Sequence, residues 1–139
     1  AAGDQCRRHG EVLQGARVTA RRLTAPPARL SAAARGVWAD LVGDLERSGI
    51  LDWADRSALA EYCELAAQRD AIRRQVDLEG GVIVANQRGP SRVHPLMREY
   101  HRLFLRCSRL EDRLGMNPLA RARLRNERNK MPRLRAAKS

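Results

Sequence analysis

The stretch Pro95–Leu114 reads PLMREYHRLFLRCSRLEDRL. Leu96, Tyr100, Leu103, Cys107, Leu110 and Leu114 recur in it at alternating intervals of four and three, the apolar seam of a helix packed lengthwise along another helix. Arg98, Arg102, Arg106, Arg109 and Arg113 recur every three or four residues behind them. At about 100° per residue these arginines fall on one narrow stripe beside the seam. Gly115 ends the pattern, Pro95 sits where the first turn of a helix accepts proline, and His94 precedes it. A helix of this kind needs helical neighbours.

Working outward, the rest of the chain supplies them. Ser31 is placed to cap a helix in which Ala34, Val37, Trp38, Leu41, Val42 and Leu45 recur at helical spacing and which Gly49 stops. Ile50-Leu51 is a short apolar link, and Asp52, with Asp55 three residues on, opens a second helix running to Gly80-Gly81. That helix carries two apolar rows, Leu59, Cys63 and Ala66 beside Tyr62, Leu65, Ile72 and Val76, an arc wide enough to need neighbours on both flanks. Val82-Ile83-Val84 and Ser91-Arg92-Val93 surround Asn86-Gln87-Arg88-Gly89-Pro90, a pattern that fits a small hairpin and an extended loop equally. Asn117-Pro118 starts a fourth helix with an N-cap and a first-position proline. With 139 residues, five aromatics and an apolar set led by Ala and Leu, one all-α domain is expected. Its parts are a helical hairpin, a long third helix, a short loop or β-hairpin insertion and basic terminal arms.

Charge divides the chain more sharply than hydropathy does. Residues 1–29, closed by Pro26-Pro27, hold six arginines against Asp4 and Glu11, a surplus of 4. Residues 121–139 hold eight bases against Glu127, a surplus of 7, and the two surpluses account for the whole net charge of +11. Residues 30–120 are therefore balanced, the layout of a folded helical body, expected to be where copies associate, with basic arms at 1–29 and 121–139. Such arms most often meet phosphate. The DNA-binding candidates are Arg17, Arg21 and Arg22 in the first arm, Arg98, Arg102, Arg106, Arg109 and Arg113 in the stripe, and Arg121, Arg123, Arg125, Arg128 and Lys130 in the second arm. Within the body, Ser31 to Gly80 carries a net of minus 4 and the remainder to Ala120 a net of plus 4. Opposed halves fit head-to-tail association between copies and intramolecular pairing alike. The first two helices would make a helix-turn-helix, but a region of net negative charge is a poor approach surface for a phosphate backbone.

Other chemistries find little support. Cys6 and His9 have half the spacing of a zinc site with no second pair at finger spacing. Cys63 and Cys107 fall on apolar helix rows and read as buried thiols; three widely spaced cysteines imply no disulfide framework and fit a reducing compartment. His94 and His101 near Glu99 read as a helix cap and a surface histidine rather than an acid–base pair. There is no phosphate-cradling Gly-Lys-Ser loop, nucleophile elbow or carboxylate cluster, so neither an enzyme nor a cofactor is expected. No apolar run approaches the roughly 18 residues of a membrane span. The preference for arginine over lysine fits phosphate and base-edge recognition and a coding bias equally. An arginine-rich start also fits an organelle transit peptide, against which Asp4 and Glu11 stand.

An ordered set of features resembles a known family. Ser31, Ala34 and Trp38 are followed by Leu45-Glu46, Gly49-Ile50-Leu51, Asp52, Leu59 and Tyr62-Cys63. A polar loop ending in His94-Pro95 comes next, then Leu114-Gly115-Met116-Asn117-Pro118 with Arg121 and Leu124. In order and spacing this is similar to the phage terminase small subunits, in particular those of long-tailed phages that cut at cohesive ends. The similarity covers Leu30 to Leu124, about two thirds of the chain. Where the family usually has a small hydroxyl residue before the proline and Ser after it, this chain has Asn117 and Leu119. Asn is an equally good cap.

The resemblance implies a non-enzymatic genome-packaging factor working in the host cell cytoplasm. It would form a homo-oligomeric ring of about eight to ten copies, bind duplex viral DNA, and present it to a large terminase subunit that carries the ATPase and nuclease. The matched positions Trp38, Leu59, Tyr62, Pro95 and Leu114 are mostly fold-forming, so the arginine candidates rest on charge alone. Two rivals are an arginine-rich RNA-binding protein of ribosomal type, whose body would normally be basic as well, and an adaptor using its charged faces only for protein contacts.

Overall fold

A computed structural model of the chain describes residues 23, 25–49, 51 and 53–136, with side chains as far as Lys130. Its elements are α1 (Ala32–Ser48), a single 3-10 turn (Trp53–Asp55), α2 (Arg56–Leu78), strands β1 (Ile83–Val84) and β2 (Arg92–Val93), α3 (Met97–Leu114) and α4 (Pro118–Ala136). The fold is all-α apart from that two-stranded ribbon.

α1 begins and ends as its sequence demands. Ser31 Oγ accepts the Ala34 N–H at 3.2 Å, and Gly49 closes the helix in the left-handed region at φ 63. The same cap is tied to α2, because Ser31 donates its N–H to Glu64 Oε1 at 2.6 Å and its hydroxyl to Glu64 Oε2 at 3.0 Å. In the approach to α1, inside the segment expected as an arm, Leu23 and Pro27 are buried. Two side chains hold this approach: Arg35 Nη2 donates to Ala28 O at 2.8 Å and Arg56 Nη2 to Ala25 O at 3.1 Å.

α2 is entered through the 3-10 turn that begins at Trp53, directly after the expected start at Asp52. Asp52 lies outside the described residues, and Asp55, at the N-cap position, has helical φ and ψ and makes no capping hydrogen bond with its side chain. Such turns are common at helix starts. The Arg56 guanidinium lies 4.7 Å from the Trp53 ring centroid and also reaches Ala25 O. At the other end Gly80 (φ 99) and Gly81 (φ 98) reverse the chain, and the Gly81 N–H returns to Val76 O at 2.8 Å. Only glycine takes two such angles in succession without strain.

The segment between α2 and α3 is a hairpin, with Ile83 opposite Val93 and Val84 opposite Arg92 in antiparallel register. α3 starts at Met97 rather than Pro95. Pro95 and Leu96 form a turn closed by the Met97 N–H on His94 O at 3.0 Å. His94 is buried and takes the capping role, its Nδ1 accepting the Leu96 N–H at 3.2 Å. Gly115 ends α3 at φ 68. Asn117 Oδ1 then accepts the Ala120 N–H at 2.7 Å, which caps α4 with Pro118 as its first residue. α3, with 18 residues, is shorter than the 23 of α2. α4 continues to Ala136, so the basic segment from Arg121 shares one helix with the end of the body.

α2 is the centre of the core, packed on α1 along one flank and on α3 along the other. Its small buried residues Ala60, Cys63, Ala66 and Ala67 bring the neighbouring helices close. Trp38 and Leu45 of α1, Leu59 and Leu65 of α2, and Leu103, Cys107 and Leu114 of α3 complete one cluster. Each fully buried leucine contributes about 1.5–3 kcal/mol. Partial exposure of Tyr100 and Leu110 shows the α3 seam to be only half covered.

Candidate nucleic-acid interface

The five stripe arginines lie exposed on one flank of α3, as their spacing requires. Their surroundings differ. Arg102 Nη2 pairs with Glu99 Oε1 at 2.7 Å within the helix, and Glu99 raises its already high pKa further, by hydrogen bond and by charge. Arg106 Nη2 crosses to Glu61 Oε1 of α2 at 3.1 Å. Arg113 lines an open cleft of about 650 Å³ together with Arg29, Ser57, Glu61 and Glu64. Arg106 and Arg113 therefore face the carboxylates of α2, whereas Arg98, beside His94, Pro95 and Met97, lines a cleft free of acidic side chains. Arg98, Arg109 and Arg113 form no ion pair among the described residues.

α4 distributes its cations otherwise. Arg121, Arg125 and Arg128 are spaced by four and three and share a face; Arg123 and Lys130, seven apart, share another nearly opposite. Arg121 Nη1 donates to Met116 O at 2.8 Å and fastens the α3–α4 turn. Arg128 Nη1 donates to Gly49 O at 2.9 Å, placing a positive charge at the C-terminal end of α1 where the helix dipole favours it. A guanidinium has five N–H donors, so neither bond consumes its capacity for phosphate. Arg123, Arg125 and Lys130 are exposed. Arg17, Arg21 and Arg22 lie outside the described residues, as do Cys6 and His9.

Three acidic side chains of the first half are paired within it. Arg47 bonds Asp44, Arg69 bonds Asp70 at 3.0 Å and Arg73 bonds Asp77 at 3.2 Å. Beside Glu61, which reaches Arg106, Glu79 has a partner that spacing gave no hint of: its Oε2 accepts from His94 Nε2 at 2.7 Å. Hydrogen bonds from Gln75 and then His94 hold the Glu79 carboxyl below its ordinary pKa. Because Nδ1 of the same ring accepts the Leu96 N–H, the Nε2–H tautomer of His94 satisfies both contacts. His94 thus caps α3 and also ties its start to the end of α2. The tie to Glu79 has no signal in local sequence.

Side chains with reactive potential are buried structural groups. Burial pushes the Cys63 thiol up to about 12, with Glu64 adding to it, and burial likewise raises Cys107. Neither is a thiolate nucleophile near neutral pH. Tyr62 donates its hydroxyl to Glu111 Oε1 at 3.0 Å, and burial together with that carboxylate raises its pKa. Among the described residues, no group of three or more His, Cys, Asp and Glu side chains converges as a metal site. No helix among them is long and apolar enough to cross a membrane.

Compared with known proteins, residues 34–131 match the family model described as phage terminase, small subunit. The match runs from α1 through most of α4. No curated protein and no solved structure matches the chain.

Proposed function

Because the chain belongs to the family of phage terminase small subunits, we propose that it is a packaging factor of the cohesive-end, long-tailed branch. It binds duplex viral DNA as a homo-oligomeric ring and hands it to the large terminase subunit in the host cytoplasm. The observation that carries the DNA-binding part is the exposure of Arg98 and Arg109 on α3 and of Arg123, Arg125 and Lys130 on α4, within a chain of net charge +11. Counterion release from the phosphate backbone is the driving force, and it is independent of base sequence. The positive half of the body and both basic termini contribute to it. The ring of eight to ten copies follows the family's precedent, and the half-covered seam of α3 offers apolar surface for a neighbour. Catalysis stays with the large subunit on the family's precedent; among the described residues both cysteines are buried and no metal cage forms.

The deciding experiment measures duplex affinity against salt for the full chain and for a chain ending at Leu124. The slope of log affinity on log salt is roughly 0.9 per phosphate neutralised, so truncation should flatten it by several units. An unchanged slope overturns the DNA-binding role of the C-terminal segment. Native mass spectrometry at moderate salt showing monomer alone overturns the ring. Pull-down of the cognate large subunit by the same two chains tests the hand-over, with equal recovery excluding residues 125–139 as the dock.

A further inference from the structure

Residues 83–93 are exposed without interruption, the longest such run among the described residues. They form a ribbon anchored at its base and open at its tip. At the base, His94 donates its backbone N–H to Val82 O at 2.8 Å, and its ring bonds Glu79 and Leu96. At the tip, Asn86 Oδ1 accepts the Arg88 N–H at 3.2 Å. A Cβ on Gly89 would approach Asn86 Nδ2 to 3.1 Å, so glycine keeps that turn compact. No acidic residue lies between Glu79 and Glu99, whereas Arg88, Arg92 and Arg98 do.

We propose that this ribbon is the sequence-reading element of the chain, entering a groove of duplex DNA and presenting Asn86, Gln87 and Arg88 to base edges. It rests on the reading above that the protein binds duplex DNA. Three arguments support it. The major groove, about 12 Å wide, admits a two-stranded β-ribbon. The tip carries the side chains whose planar groups match base edges, the amides of Asn86 and Gln87 for adenine and the fork of Arg88 for guanine. The absence of acids lets Arg92 and Arg98 approach the flanking phosphates. The α4 cations supply contacts that position a protein without specifying sequence, and a packaging factor needs both. Ile83 and Val93, opposite each other and more than half exposed, would meet sugar and thymine methyl groups.

The test is repeated selection from a randomised duplex library by the full chain, by an Asn86→Ala/Gln87→Ala/Arg88→Ala variant and by Arg88→Lys. The native chain should enrich a motif. The triple variant should lose its preference by roughly tenfold or more per base read, yet still retain random duplex at low salt. Arg88→Lys leaves charge and turn intact and should relax one position only. Enrichment of the same motif by the triple variant overturns the proposal, as does a native chain that holds duplex but enriches nothing. A smaller oligomer with unchanged preference would make the ribbon a contact between subunits and equally overturn it. Failure of the native chain to retain any duplex at low salt removes the DNA-binding reading itself, and this one with it.

Discussion

α3 and α4 carry the same residue, arginine, at almost the same density, and use it differently. α3 has a buried seam of Leu103, Cys107 and Leu114 against α2, and two of its five stripe arginines are paired, Arg102 with Glu99 in the same helix and Arg106 with Glu61 of α2. α4 buries only Ala120 among its residues up to Lys130, keeps its cations on opposite faces and is fastened through Arg121 and Arg128 to backbone carbonyls. What lies beneath a helix thus decides how many of its arginines are tied into the fold and how many stay exposed. Charge on α3 is partly spent on the fold. On α4 it is mostly presented to solvent.

The strongest challenge to this contrast is a matched pair of truncations. Leu103→Ala in α3 should cost about 2–5 kcal/mol in chemical unfolding, and Leu124→Ala, half-buried in α4, should cost well under half as much. Equal losses would show that α4 is as deeply built in as α3. Next in size is the DNA response. Replacing Arg123, Arg125 and Lys130 together by Ala should lower the salt slope by roughly 2–3 units, about 0.9 for each phosphate contact. Arg106→Ala with Arg102→Ala should lower it by less, because those two side chains are already paired with Glu61 and Glu99. A reversal would shift the proposed DNA contacts toward the paired arginines of α3.

A smaller effect is expected at the bond between α4 and α1. Arg128→Met keeps the aliphatic stem but removes the donor to Gly49 O, for a loss of about 0.5–1.5 kcal/mol in thermal unfolding. No change would mean that the bond to Gly49 O adds nothing to the stability of the fold. The last difference concerns pH. The start of α4 is capped by the neutral amide of Asn117, whereas the start of α3 is tied to Glu79, whose pKa is depressed in the fold. A depressed carboxyl contributes stability that is fully present above its unfolded value and disappears as pH falls through the folded one. Acid titration followed by circular dichroism should therefore show a modest loss of stability below the usual glutamate range. Glu79→Gln should remove that component, and Asn117→Asp should add one.

Short-range rules were readable in the chain to the residue in some places. Ser31 and Gly49 bound α1, Gly80-Gly81 follows α2, Gly115 ends α3 and Asn117-Pro118 opens α4, because a cap or a positive φ is decided within a few positions of itself. The wide apolar arc of α2 likewise announced its two neighbours. The start of α3 was less sharply legible: the helix begins at Met97, two residues after Pro95, behind a turn in which buried His94 accepts the Leu96 N–H. In the interface, exposure of the arginine stripe was legible from spacing alone. The partners of Arg106 and Arg128, 45 and 79 residues away, were not.

By itself the sequence determined that this protein is helical, where most of its helices end, which faces are apolar and where surplus charge accumulates, since each depends on residues a turn or less apart. Only the tertiary structure decided which arginines spend their hydrogen bonds on the fold, which acids answer them, and that residues 83–93 stand clear of it. Those outcomes depend on which helix faces come together. No periodicity within a single helix records that choice.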